Sequence, residues 1–223
     1  MNKAAWTRFK AAYEECFTLY PDAASLPVTR LYYLHRQWIF PGHLDPMLTY
    51  IQDFHIRFFP DANLEVCLLA GLLHDTGLVH GRQHDSPKGH ELRSCDYAET
   101  LLAKLGYSTE LINQVVIAIG ATDPTVMPKT DEATIVRNAD AYSHLSTLHF
   151  IAKAHFAENL LDYIQWFDAK IHSCFDKLTI PLLIEEKKAM LGMYESQLEL
   201  YSRNTKSRFI DKPETNEKLT TKM

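Results

Sequence analysis

The chain has 223 residues, 46% of them hydrophobic, enough for one domain with a substantial core. Its 23 Lys plus Arg stand against 28 Asp plus Glu, and the formal charge of -5 excludes any general attraction to nucleic acid or acidic membranes, so phosphate recognition has to be local. The segment MNKAAWTRFKAAYEECF has no apolar signal-peptide core, no apolar run approaches about 18 residues, and the four cysteines (Cys16, Cys67, Cys95, Cys174) lack CxxC spacing. A cytoplasmic protein without membrane association is expected, with Cys67 and Cys174 as small core hydrophobes.

Apolar residues return every three or four positions, with eight glycines and no run of alternating strand residues, which predicts an all-α domain. In chain order the periodicity predicts helices over 3–19, 27–38, 43–59, 62–75, 88–105, 108–119, 131–144, 147–174 with a break, and 180–202. Pro21, Pro27, Pro41, Pro60, Pro124, Pro128 and Pro181 fall in or near the connections, where a missing amide donor does least damage. A single helical domain is expected over 1–203, and the polar stretch 204–223 reads as a mobile tail.

In the helix predicted over 43–59, Leu44, Met47, Leu48, Ile51, Phe54, His55 and Phe58 trace one stripe, with His43 on its edge one turn before Met47. His43 is therefore expected to point inward, and Pro46 is tolerable because it falls in the first turn. His35 and His55 read as core or interface histidines; His55 lies about 18 Å along the helix from His43.

The next helix carries the unbroken apolar run Val66 to Leu73 and ends in His74-Asp75. A buried imidazole and carboxylate need partners. Helix neighbours are separated by roughly 100°, so the two side chains can converge on a cation lying between them. Gly77 supplies a helix stop, placing both in the last turn, where the carbonyl end of the helix dipole favours positive charge. The competing reading is a structural pair in which Asp75 accepts a hydrogen bond from His74 or from the following loop.

That loop, Leu78 to His90, is rich in donors. His84, Lys88 and His90 are candidates for phosphate contact or leaving-group protonation, each equally readable as a solvated loop residue, and Arg82 reads better as facing solvent. Over 131–144, Asp140 follows Val136 by one turn on the inner face, a second inward carboxylate. His144, one turn later, either hydrogen-bonds Asp140 or is a plain surface histidine. Tyr32, Tyr33, Trp38, Phe40, Tyr163, Trp166 and Phe167 read as packing, and with no basic stripe among them no nucleic-acid polymer is expected as a partner.

The order His43, then His74-Asp75 in LLAGLLHDTG, then Asp140 in VRNADAYSHL resembles the HD-domain superfamily of metal-dependent phosphohydrolases over roughly residues 30–150. The resemblance implies that His43, His74, Asp75 and Asp140 are metal ligands. Two imidazoles and two carboxylates leave open positions on a six-coordinate ion, suiting Fe(II), Mn(II), Co(II), Ni(II) or Mg(II) more than a closed zinc site, with Zn(II) admissible. Relatives with two metals use a histidine after the HD motif, a place His90 fills, and another about two helices later, where Ala121 and Thr122 stand instead. One divalent metal ion is therefore expected. Pro46 is a further departure, since many relatives carry a basic residue three positions after the first ligand.

The implied activity is metal-dependent hydrolysis of a small phosphate ester, a nucleotide among the candidates, with Asp75 serving as ligand and as acceptor for the attacking water. The alternatives are a non-catalytic regulatory or scaffold domain that retains a metal and, ranked last, a di-iron oxygenase, which needs the second iron.

Overall fold

The computed structural model describes residues 1–18, 43–78, 88–146, 150, 154 and 159–207. Its helices are α1 (Lys3–Thr18), α2 (Leu44–Phe58), α3 (Leu64–Leu73), α4 (His90–Lys104), α5 (Thr109–Gly120), α6 (Asp131–His144), α7 (Leu160–Asp176) and α8 (Pro181–Ser207), with a 3-10 turn over Thr76–Leu78. No strand occurs among the described residues, and the fold is all-α. None of the helices searched among these residues is long and apolar enough to cross a membrane. The helix expected over 27–38 and most of 147–158 lie outside the described residues, as does 208–223. Helix α8 runs on to Ser207, past the start expected for the tail, because a packed helix extends by a further turn at little cost.

Helix α3 is apolar on every side, so it has to be enclosed on every side. It packs against α1, α2, α4, α5 and α6, and Val66 through Leu73 are all buried. Each of its leucines contributes about 1.5–3 kcal/mol through burial. Asn63 caps its start by accepting from the amides of Glu65 and Val66. On α2 the stripe Leu44, Met47, Ile51 and Phe54 is buried, facing α3 and α6. Half-buried His55 donates from Nε2 to the Ala62 carbonyl at 3.0 Å.

A second, smaller cluster forms where Phe167, Ile171 and Cys174 of α7 meet Tyr194 of α8 and the end of α6. Helix α6 serves both cores: Ala133, Val136 and Ala139 face the first, and Ala141 faces the second. Asp140 thus sits at the seam. All four cysteines are free and buried.

Two local devices fix the approach of elements around that seam. Helix α3 ends at Leu73, with His74 still in the right-handed helical region and the Thr76 hydroxyl donating to the Leu73 carbonyl. Gly77 is not itself the stop expected from the sequence, since the helix ends at Leu73 and Gly77 lies in the 3-10 turn beyond it; glycine is needed there for contact. A Cβ there would collide with the His90 carbonyl and lie 2.7 Å from the Ser94 amide, so only glycine lets the 3-10 turn press on the start of α4. The Gly77 amide donates to Ser94 Oγ, and its carbonyl accepts from Arg93 Nε.

The second device is Arg137, buried on α6. Its guanidinium donates to the carbonyls of Ala121, Asp123, Pro124 and Val126 in the α5–α6 connection, and its Nε donates to Lys177 O at the end of α7. Asn138 beside it accepts from the amides of Thr179 and Ile180. The turn between α7 and α8 is thereby stapled to α6.

Candidate metal centre

The end of α3, the start of α2 and the middle of α6 bring four side chains to one point. His43 Nε2 lies 3.0 Å from His74 Nε2, 3.8 Å from Asp75 Oδ2 and 3.4 Å from Asp140 Oδ1. His74 Nε2 lies 3.4 Å from Asp75 Oδ2 and 3.6 Å from Asp140 Oδ1. All four residues are buried, His43 completely. The inward position expected for His43 and Asp140 is the one observed.

The hydrogen bonds at the back of each imidazole set its tautomer. His74 Nδ1 donates to the Gly71 carbonyl at 2.8 Å, since a carbonyl can only accept. Ser143 Oγ donates to the Asp140 carbonyl at 2.8 Å, so it accepts from His43 Nδ1 at 2.9 Å. Both Nε2 atoms therefore turn lone pairs toward each other and toward two carboxylate oxygens. Such an array is repulsive unless a cation or a shared proton lies among them.

The electrostatics point the same way. Burial alone would pull the His74 pKa down, but Asp75 and then Asp140 outweigh it and hold the imidazole above its ordinary value. Burial would push the Asp140 carboxyl up, yet Lys177 and His144 keep it well below the usual carboxylate range. Among the described residues, Asp140 Oδ1 is a buried oxygen with no hydrogen-bond partner. His144 Nδ1 lies 3.0 Å from it, but its N–H is directed at the Asp140 backbone carbonyl, also at 3.0 Å.

Ligand atoms on an ion with bonds of about 2.0–2.2 Å stand roughly 3.0 Å apart at right angles and roughly 3.4 Å apart at tetrahedral angles. Three of the separations around His43 and His74, 3.0, 3.4 and 3.4 Å, meet that requirement, and the other two, 3.6 and 3.8 Å, are slightly wider. His43, His74 and Asp75 form one group able to hold a metal ion, and His43, Asp140 and His144 a second that shares His43. Asp140 Oδ1 lies 3.4 Å from His43 Nε2 and 3.6 Å from His74 Nε2, which joins Asp140 to the first group.

Each carboxylate divides its oxygens between the cluster and an outer base. Asp75 turns Oδ2 inward and Oδ1 to His90 Nε2 at 3.0 Å. His90 Nδ1 lies 3.3 Å from Glu91 Oε2, and its side chain is 20% exposed, so the site reaches solvent on this side. Asp140 turns Oδ1 inward and Oδ2 to Lys177 Nζ at 2.5 Å. Burial lowers the Lys177 pKa, Asp140 reverses that, and the ammonium ends above its ordinary value.

The remaining sequence candidates are distributed differently. Lys88 is exposed at the approach to α4, its carbonyl accepting from Arg93. His84 and Arg82 lie outside the described residues, as do His35, Tyr32, Tyr33, Trp38 and Phe40. The surface reading of His144 is corrected: it is 3% exposed, and its ring stacks on His43 at 3.9 Å between centroids, because α6 is buried on both flanks. Ala121 and Thr122 are buried, and the Thr122 hydroxyl donates to the Ile119 carbonyl.

Sequence reasoning missed Lys177 and Ser143. The available signal for Lys177 was a lysine ending the apolar stripe Phe167, Ile171, Cys174; Ser143 carried none beyond lying one turn after Asp140.

The family model of the HD domain matches residues 42–145, which span all four converging side chains and leave α1, α7 and α8 outside. No curated protein and no solved structure matches the chain. Residues 42–145, which bring His43, His74-Asp75 and Asp140 together, are thus similar to the HD domain, the family whose motif order the sequence resembles.

Proposed function

We propose that the protein is a phosphohydrolase that uses one divalent metal ion, held by His43, His74, Asp75 and Asp140, to cleave a small phosphate ester, a nucleotide among the candidates. The observation that carries this reading is the pair of facing Nε2 lone pairs beside two carboxylate oxygens, an arrangement that calls for a cation. A divalent cation supplies Lewis acidity toward water and toward a phosphoryl oxygen.

The chain's own groups divide the remaining work. Asp75 offers one oxygen to the cluster and is positioned to accept a proton from a water beside it. His90, on the exposed side and 3.0 Å from Asp75 Oδ1, is the group placed to contact the phosphate or protonate the leaving oxygen. His43 and His74 are fixed in orientation by Ser143 Oγ and the Gly71 carbonyl, so neither has to reorganise when a ligand arrives.

The test is phosphate release from a panel of phosphorylated metabolites with Mn(II), Fe(II), Co(II), Ni(II) and Mg(II) in turn. Release is expected with at least one metal and is expected to vanish in His74→Ala and Asp75→Ala while helical circular dichroism is retained. Turnover that survives both substitutions removes the proposal. A protein that binds metal and hydrolyses nothing in the panel supports a regulatory domain instead.

A further inference from the structure

We propose, resting on the phosphohydrolase reading above, that Lys177 tunes the metal centre for an anionic substrate. Its ammonium occupies the outer oxygen of Asp140 and leaves the cation-loaded site with net positive charge.

Three observations carry this. Lys177 Nζ lies 2.5 Å from Asp140 Oδ2, with side-chain exposures of only 9% and 4%. Burying an ammonium is costly, and an apolar side chain would serve packing at least as well. The position is also enforced by the turn that follows: Arg137 Nε holds Lys177 O at 3.0 Å, and Asn138 Oδ1 accepts from the amides of Thr179 and Ile180 at 2.8 and 3.2 Å. Lysine is therefore delivered to this carboxylate by a built turn, and it comes from outside the segment that matches the HD family.

Charge decides what the lysine does. The inner groups carry two carboxylates, on Asp75 and Asp140, so a divalent cation alone would leave the centre neutral. With Lys177 the ion and the groups touching its ligand carboxylates keep one positive charge, buried where screening is weak, while Glu91 opposes it from farther out, beyond His90 on the exposed side. Arg137 adds positive field from α6, although its donors are spent on carbonyls; Asp123 opposes it from the α5–α6 connection, where it is bonded to Thr125. Cys174, one turn before Lys177, is a buried thiol pushed up by burial and adds no charge. The pairing also withholds Oδ2 from the cluster, so Asp140 offers Oδ1 alone and leaves room for a phosphate oxygen.

The experiment uses the full chain loaded with Mn(II), with inorganic phosphate as the probe. Metal affinity is measured by calorimetry and phosphate affinity by Mn(II)-enhanced relaxation of the phosphorus resonance. Lys177→Met is expected to bind Mn(II) at least as tightly as wild type, since a repelling charge is gone and Oδ2 is freed, while phosphate binding weakens roughly 10–100-fold. Lys177→Arg keeps the charge and is expected to hold phosphate within about threefold of wild type. A lysine that only supported the fold would lose metal and phosphate together, and that result overturns the proposal. Phosphate binding unchanged in Lys177→Met overturns it as well. Should Lys177→Met fail to fold, Lys177→Gln, which keeps a donor and removes the charge, is judged by the same criteria. A wild-type chain that binds no Mn(II) removes the metal-centre reading itself, whereas wild-type binding with indifferent Lys177 variants removes only this inference.

Discussion

Replacing Arg137 with methionine isolates the device that fixes the turn after α7. The apolar stem is kept, so little cavity opens, and what is lost is a set of donors to five carbonyls. The bonds to Ala121 O and Lys177 O are fully buried, whereas those to Asp123, Pro124 and Val126 are partly exposed and regain water. A buried acceptor left without a donor costs about 1–3 kcal/mol, so the two together destabilise the fold by about 2–6 kcal/mol. For a chain of this size each kcal/mol lowers Tm by about 2–4 °C, and even the lower figure is readily measured. Urea denaturation followed by far-ultraviolet circular dichroism gives the free energy directly. An Arg137→Met protein within about 1 kcal/mol of wild type would refute the reasoning, because the carbonyls would then have other partners or easy access to water.

Gly77→Ala is expected to cost about 1–3 kcal/mol in urea denaturation, since the new Cβ meets backbone of α4 that cannot step aside; equal stability would show that the approach of the two segments is not tight. Mn(II) added to metal-free protein at about one hundred times its Kd is expected to stabilise by about 2.7 kcal/mol, a rise in Tm that chelation reverses and His74→Ala abolishes. A pH effect is expected from Lys187, whose Nζ donates to the Leu145 carbonyl and sits over the Tyr142 ring. Burial lowers its pKa to about 8, against a smaller upward pull from Glu186. The unfolded chain then binds more protons between about 8 and the ordinary 10.5, so this lysine's penalty is full below pH 8 and gone above 10.5. The stability gap between Lys187→Met and wild type should therefore shrink as pH rises through that window, and a gap independent of pH would contradict it.

Periodicity placed His43 and Asp140 on inward faces because a helix repeats every 3.6 residues whatever it packs against, and the apolar run of α3 required enclosure before any neighbour was known. The helical class follows from such local regularities, whereas the four candidate ligands were implied by a motif order that resembles the HD-domain superfamily. Gly77 was legible as special but not in its role, since a close approach depends on where α4 begins. The burial of His144 and the tautomers of His43 and His74 required knowing what lies on the far side of each ring. Lys177 was beyond reach for the same reason: it meets Asp140 across 37 residues of chain, through a turn anchored by Arg137 and Asn138. Sequence alone determined which side chains face inward. Tertiary packing decided which of their atoms meet, because that depends on distances between segments that no local repeat encodes.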